Sequence, residues 1–231
     1  MNELDFSLLT DLPLFAQLSE EDCRAVLSKA RTRYVERGDD VFSEGAEATH
    51  FFLLLDGHVR VERVTPEGDR VIPLLIPPGQ LIGIAAALGK DTYPATAVAA
   101  SDCFVLQWPM RRWSEFSTTY PGFATETFKT VGCRLDEINR RVMELATQRV
   151  EQRVANALLG MARNNARPDK DGLVIGFPLT RKQISEMTGS TLHTVSRLLS
   201  HWQNDGLLTS TKKEISILDV RGLENLASRS A

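Results

Sequence analysis

The chain has 231 residues, of which 42% are hydrophobic and 25% charged, ordinary values for a soluble protein of one large or two modest domains. No apolar run approaches the length of a membrane span, and the first residues lack the basic and apolar segments of a secretory signal, so a cytoplasmic location is expected. The three cysteines, Cys23, Cys103 and Cys133, lie far apart, which argues against a disulfide framework or a zinc ribbon. Each is expected to be a small buried residue rather than a sensor thiol.

The net charge of −3 is unevenly distributed along the chain. Residues 1–149 contain 16 Lys and Arg against 22 Asp and Glu, a net charge of −6. Residues 150–231 contain 11 against 8, a net charge of +3. Because contact with phosphates requires positive charge, the C-terminal part is the candidate for nucleic-acid binding.

The first predicted element is a short helix over residues 19–31, where Ser19 is a suitable N-cap and acidic residues fill the first turn. In residues 33–108, Gly or Pro interrupts short apolar or alternating runs every several residues. Such regularly spaced short strands indicate a small barrel or β-roll. The dipeptides Asp56-Gly57 and Glu67-Gly68 predict hairpin turns.

A long helix is predicted for residues 121–148, which contain no proline after Pro121. The spacing of its apolar residues is that of a coiled-coil seam, formed by Phe128, Val131, Leu135, Ile138, Val142 and Leu145. This seam either packs on the chain's own roll or pairs with a second copy. Charged residues on both sides leave a narrow apolar stripe, which favours a homodimer.

Residues 180–204 have the pattern of two short helices around a turn at Gly189. Side chains able to hydrogen-bond with bases or phosphates occupy the leading turns of the second helix. An amphipathic helix is predicted before the motif, over residues 150–163, and a β-hairpin after it, over residues 207–218. Together these elements predict a winged helix-turn-helix, which indicates binding to double-stranded DNA.

The order of a β-roll, a long pairing helix and a winged helix-turn-helix resembles the CRP/FNR family of bacterial transcription regulators. The glycine-turn pattern of that family is matched at residues 38–45, 57–61 and 78–83, and its DNA-binding motif at residues 184–199. The resemblance implies an α+β protein that binds DNA, RNA polymerase, a second copy of itself and a small effector, with no membrane association. Its implied domains are a cyclic-nucleotide-binding-like roll at 1–120, a dimerisation helix at 121–148 and a winged helix-turn-helix at 149–231.

The sensor region departs from the members that bind cyclic AMP. Those members carry a Glu directly after the glycine that corresponds to Gly83, and an Arg further on that binds the cyclic phosphate. Here Ile84 and the pair Pro94-Ala95 stand at those places, with Lys90 as the one substitute cation, so cyclic AMP is not expected. Cys23 and Cys103 cannot hold the four-thiolate cluster of the iron–sulfur branch.

The remaining pattern is most similar to the NnrR/DNR type of the family, which responds to nitric oxide and controls denitrification genes. The similarity lies in residues 83–85, 93–96 and 191–197. It implies an apolar effector pocket, with haem as the possible cofactor, lined by Gly83, Ile84, Ala85, Tyr93 and Ile138. His50 and His58 are the candidate haem ligands, and the alternative for each is a solvent-exposed histidine at the end of a strand.

The helix-turn-helix also predicts which side chains touch DNA. Arg197 is expected to bind guanine O6 and N7 within a TTG half-site, with a phosphate contact as the alternative. His193 stands where many relatives carry a Glu that accepts from cytosine, so base preference at that pair is expected to change or relax. The further candidate contacts to bases or phosphates are Thr180, Arg181, Thr191, Thr194, Ser196, Lys212 and Lys213.

Two other classes of function stay open. A cupin-like metal-dependent enzyme needs clustered histidines and carboxylates in the roll, but the roll has only His50 and His58. The chain also lacks the Gly-x-Ser-x-Gly, Walker and His-Glu-x-x-His motifs, so enzymatic activity is not expected. The second alternative is a constitutive DNA-binding protein whose roll has lost its effector.

Overall fold

The computed structural model describes residues 9, 12–169, 172–211 and 214–228, excluding the side chains of 164–169. It divides into two compact units, one within residues 1–61 and 75–136 and the other within 62–74 and 137–231. The division falls inside the long helix, and residues 62–74 belong to the second unit. None of the described helices is long and apolar enough to span a bilayer.

The first unit begins with helix α1, whose N-cap Ser19 accepts a hydrogen bond from the backbone N–H of Asp22 at 3.1 Å. This confirms the predicted capped helix. The elements up to the long helix are α1 (Glu20–Ser28), β1 (Arg31–Val35), β2 (Asp40–Phe42), β3 (His50–Asp56), β4 (Val59–Val64), β5 (Arg70–Ile76), β6 (Leu81–Ile82), β7 (Thr96–Ala99), β8 (Cys103–Pro109) and α2 (Trp113–Thr119).

Eight strands form two four-stranded sheets, with the orders β1-β8-β3-β6 and β2-β7-β4-β5. Strand β3 has apolar cores on both of its faces. Phe51 and Leu53 pack in one core with helices α1 and α2, whereas Phe52 and Leu54 pack in a second core that lies inside the roll. Burial on both faces explains why this strand is an unbroken apolar run instead of an alternating one, and the two sheets confirm the predicted roll.

One of the two predicted hairpin turns is wrong. Strands β3 and β4 belong to different sheets, so Asp56-Gly57 carries the chain from one sheet to the other. Gly57 has φ of 87°, and a Cβ there would lie 2.2 Å from the carbonyl oxygen of Asp102, so this crossover requires glycine. Glu67-Gly68 joins β4 and β5, which are neighbours in one sheet, and this hairpin is confirmed.

The long helix α3 (Pro121–Thr147) matches the predicted span closely. Five of its six predicted seam residues are 39–69% exposed, and only Val131 packs partly against a core of its own chain. The alternative in which the whole seam packs on its own roll is therefore not what the structure has. Cys133 on the same helix is exposed, contrary to the expectation of burial, because its position faces away from the core; Cys23 and Cys103 are buried as expected.

The rest of the second unit contains a four-stranded sheet in the order β11-β12-β10-β9 and four helices. The β11–β12 pair confirms the predicted hairpin over residues 207–218, and α4 confirms the helix predicted over 150–163. The elements are α4 (Val150–Asn165), β9 (Ala166–Asp169), β10 (Gly172–Ile175), α5 (Arg181–Thr188), α6 (Leu192–Asn204), β11 (Leu208–Ser210), β12 (Ile215–Ile217) and α7 (Val220–Ser228).

Candidate nucleic-acid interface and effector domain

The first helix of the motif, α5, begins with a complete capping box. The hydroxyl of Thr180 accepts from the N–H of Gln183 at 3.2 Å, and the Gln183 side chain accepts from the N–H of Thr180 at 2.8 Å. Sequence reasoning named Thr180 as a phosphate contact but missed Gln183, although Thr-x-x-Gln is a recognised start signal. Arg181 follows at the first helical position and is half-buried.

The turn between α5 and α6 depends on Gly189. Its φ of 58° lies in the left-handed region, and its N–H donates to the carbonyl of Ser185 to close the helix. A Cβ at this position would also lie 3.0 Å from Cδ2 of Leu145 on α3. The close approach fixes the turn against the end of the long helix.

The second helix, α6, buries one face and exposes the other. Val195, Leu199 and Trp202 are fully buried on the inner side. His193 and Arg197, one turn apart, are exposed on the outer side, and their side chains form no hydrogen bond or ion pair within the described part of the chain. Their polar atoms are therefore available to an external partner.

Two threonines at the start of this helix stabilise it, in addition to their predicted contact with DNA. Thr191 is the N-cap of α6, and its hydroxyl accepts from the N–H of Thr194 at 3.1 Å. The two hydroxyl oxygens lie 2.9 Å apart and share a hydrogen bond. Each hydroxyl can still contact DNA, but replacing either residue would also disturb the helix start. Ser196 is half-buried, and the predicted wing contacts Lys212 and Lys213 lie outside the described residues.

The predicted effector pocket is only partly assembled. A Cβ on Gly83 would lie 3.1–3.3 Å from Phe52, Phe42 and the His50 carbonyl, so the chain passes tightly there. Ala85 and Tyr93 lie in the core inside the roll, whereas Ile84 packs in the other core with the helices. Ile138 is 39% exposed on α3. Ile84 is thus separated from the predicted lining because β3 divides the two cores.

Aromatic rings fill the interior beside Gly83. The rings of Phe42 and Tyr93 stack with centroids 4.0 Å apart, and Phe42 also stacks on Phe52 at 5.9 Å. The Tyr93 hydroxyl donates to the carbonyl of His50 at 2.7 Å and accepts from its N–H at 3.2 Å. Burial raises the pKa of Tyr93, so the hydroxyl stays neutral.

The charge inside the roll does not suit a cyclic phosphate. No Lys or Arg is among the buried residues of the described chain. The half-buried Arg33 donates to the backbone carbonyls of Val41 and Asp40 at 2.9 and 3.2 Å, and Lys90 is exposed. A phosphate moved into this interior would lose its hydration without gaining a cation.

The histidine candidates for haem lie at opposite ends of β3. His50 is half-buried beside Thr49 and Phe52, and burial, reinforced by Arg33, lowers its pKa. His58 lies beyond the other end, where its N–H donates to the Ser101 hydroxyl at 3.0 Å. The ring of Phe52 lies beside that of His50, with their centroids 6.3 Å apart.

The described residues contain no group of three or more His, Cys, Asp or Glu side chains placed to hold a metal ion. Burial raises the pKa of the Cys103 thiol to about 11, and its sulfur donates to the carbonyls of Ser101 and His58 at 3.2 and 3.3 Å. Such a thiol is neutral at physiological pH and unreactive.

Comparison with known proteins identifies both halves of the chain. The cyclic nucleotide-binding domain family matches residues 32–120, and the Crp-like helix-turn-helix domain family matches residues 152–226. The transcriptional activator protein FnrA of Stutzerimonas stutzeri is 27% identical over 218 residues, covering 94% of this chain and 88% of FnrA. The fumarate and nitrate reduction regulatory protein of Escherichia coli K12 is 24% identical over 197 residues, covering 85% and 78%.

Among solved structures, FixK2 from Bradyrhizobium japonicum superposes with a TM-score of 0.76 at 23% identity, covering 87% of this chain and 99% of FixK2. That likeness concerns the fold. Both domain families occur in one chain, in the order of roll, long helix and helix-turn-helix. The protein therefore belongs to the CRP/FNR family of transcription regulators, with an effector-binding domain and a helix-turn-helix DNA-binding domain.

Proposed function

We propose that the protein is a homodimer that reads an inverted repeat of TTG half-sites in double-stranded DNA. The observation that carries this proposal is the outer face of α6, where His193 and Arg197 are exposed and have no partner within the described chain. A helix of this kind enters the major groove, where an Arg side chain can donate to guanine O6 and N7. RNA polymerase is the further partner that regulation of transcription requires.

The exposed seam of α3 supports the homodimer. Phe128, Leu135 and Val142 are each more than half exposed, and lie on one stripe of a 27-residue helix. A matching stripe on a second copy would cover them in a two-helix seam. The two helix-turn-helix motifs, related by a two-fold axis, would then face a palindrome with half-sites about 34 Å apart.

We assign roles at the DNA surface from the position of each side chain. Arg197 reads guanine, and His193, next to it on the exposed face, reads the neighbouring pair with one donor and one acceptor. Thr180 and Arg181 at the start of α5 bind phosphate. Thr191, Thr194 and Ser196 supply hydroxyls to the same surface, and Lys212 and Lys213 in the wing are assigned to phosphate by their charge.

The effector domain is proposed to bind a small molecule other than cyclic AMP, because the interior of the roll does not suit a cyclic phosphate. Nitric oxide sensed through haem, as the resemblance to the NnrR/DNR type implies, stays a prediction that the packing around His50 does not support. An absorption spectrum of the protein mixed with haem, with and without nitric oxide, tests it. A Soret shift lost in His50→Ala or His58→Ala would support haem; the absence of any shift would remove it.

The DNA-reading proposal is tested by selecting binding sites from a randomised duplex library and measuring affinities by fluorescence anisotropy. Wild-type protein is expected to select an inverted repeat with TTG, and Arg197→Ala to lose discrimination at the guanine by about 5- to 150-fold, the equivalent of roughly 1–3 kcal/mol.

Arg221→Ala is the matched control, because Arg221 is an exposed arginine on α7, outside the motif. This variant keeps the sequence preference while losing one positive charge. Equal discrimination by wild type and Arg197→Ala would remove Arg197 as the base reader. A library without any enriched repeat would contradict sequence-specific binding altogether.

A further inference from the structure

Two arginines from outside the motif bind the end of helix α5. The last carbonyl groups of a helix have no partner within it and carry partial negative charge. Arg141 on α3 donates to the carbonyl of Met187 at 3.2 Å. Arg153 on α4 donates to the carbonyls of Thr188 and Gly189 at 2.9 and 3.4 Å. The turn that leads into the recognition helix is thus held by two guanidinium groups.

Arg141 has a second backbone partner. The same nitrogen, Nη1, donates to the carbonyl of Ile72 in β5 at 3.3 Å, while Nη2 donates to Glu137 at 3.3 Å. The Arg141 side chain is only 19% exposed, so water competes weakly for these bonds. Ile72 itself is 1% exposed, and its packing fixes the position of its carbonyl.

The segment that Arg141 binds is the β4–β5 hairpin, whose residues 62–74 belong to the same compact unit as the helix-turn-helix. Strands β4 and β5 also continue the sheet of the roll. Within this unit, one side chain therefore contacts both the β4–β5 hairpin and the turn of the DNA-binding motif.

Arg153 offers a natural comparison. Its third bond goes to the carbonyl of Gln148 at the end of α3, at 2.8 Å. Both arginines cap the same turn, but among the described residues Arg153 bonds only to helix ends and to the turn. A difference between variants of the two arginines therefore isolates the contact with the hairpin.

We propose that Arg141 couples the β4–β5 hairpin to the helix-turn-helix, so that a change in the hairpin alters DNA affinity. The proposal rests on the DNA-binding function proposed above. A planar guanidinium can donate in two directions at once, which a Lys ammonium on a flexible stem does less well. Because coupling of binding equilibria is reciprocal, DNA binding must also alter the hairpin.

The reciprocal effect can be measured without knowing the effector. Hydrogen exchange is followed by mass spectrometry on the full chain, with and without the duplex selected from the random library. In the wild type, DNA is expected to slow exchange in α6 and to change it in residues 62–74. In Arg141→Met the slowing in α6 remains, but the response of the hairpin falls by about fivefold or more, the lower range of typical coupling factors.

Three further variants complete the test, two of them as controls. Arg140→Met removes the neighbouring arginine, whose side chain is 65% exposed and reaches Glu137 and Glu144 only at 4.0 and 3.8 Å, and it should behave as wild type. Arg153→Met should weaken DNA binding but keep the hairpin response of the bound protein. Arg141→Lys keeps the positive charge and provides a second test if Arg141→Met fails to fold. It too should lose the hairpin response.

The outcomes separate this proposal from the one it rests on. Absence of any protection in α6 of the wild type would overturn DNA binding by this helix. Protection in α6 without a hairpin response in the wild type would overturn the coupling alone. A hairpin response that persists in Arg141→Met or Arg141→Lys at the level of Arg140→Met would also overturn it.

Discussion

The proposed dimer predicts a large effect of one substitution on the exposed stripe of α3. Leu135 is 57% exposed in the single chain, and complete burial of a Leu side chain is worth about 1.5–3 kcal/mol. Covering the exposed half therefore contributes roughly 1–1.5 kcal/mol per side chain, and the symmetry of the dimer doubles that value. Leu135→Ala should weaken association by about 2–3 kcal/mol, or roughly 30- to 150-fold in the dimer Kd.

Met143→Ala is the matched control for this measurement. Met143 lies on the same helix and is 61% exposed, but it stands outside the predicted stripe. Both substitutions leave a residue with high helix propensity, so neither should unwind α3. Met143→Ala is expected to change the dimer Kd by less than about threefold, in keeping with a surface substitution.

Sedimentation equilibrium over a wide concentration range gives the dimer Kd of each variant, and circular dichroism reports whether the helix content is unchanged. DNA affinity should follow the same order, because a monomer loses one of its two half-site contacts. Equal dissociation constants for the two variants would refute the assignment of the stripe as the interface, and so would a monomeric wild type at all concentrations.

Two further predictions concern the roll and its cysteines. Gly57→Ala should lower the melting temperature more than Gly68→Ala: both glycines have positive φ, which costs Ala about 1–2 kcal/mol, but only at Gly57 would the Cβ meet another atom, the Asp102 carbonyl at 2.2 Å. A similar loss in both variants would refute the close approach. In a thiol titration of native protein at pH 8, only Cys133 should react rapidly, because burial raises the pKa values of Cys23 and Cys103, the latter to about 11. A fast phase that persists in Cys133→Ser would contradict this.

The elements of the fold were largely predictable because each leaves a local pattern. Ser19 and the acidic turn marked α1, and the recurring apolar residues marked α3. The path between elements was less predictable. Asp56-Gly57 has the sequence of a hairpin turn, but burial of β3 on both faces places it in a different sheet from β4. A dipeptide carries no information about the sheet that the next strand joins.

Residues with two roles were also beyond sequence reasoning. Thr191 was predicted as a DNA contact from its place in the motif, and the same place makes it the N-cap of α6. Arg141 is one of the charged residues beside the seam of α3, and the sequence pattern assigns it no other role. Its bonds to Ile72 and Met187 join positions 69 and 46 residues away in the chain, which no local pattern encodes.

The two functional parts of the protein differ in how their chemistry is distributed along the chain. The proposed base-reading side chains come from one helix, so helical spacing alone brings His193 and Arg197 to the same face. The interior of the effector domain is assembled from Phe42, Phe52, Gly83 and Tyr93, which different strands and turns bring together. The rings of Phe42 and Tyr93 stack here, so an effector that entered between them would displace this stack. The Tyr93 hydroxyl forms hydrogen bonds with the backbone of His50 at the start of β3. Displacement of Tyr93 would therefore also disturb the backbone of this strand.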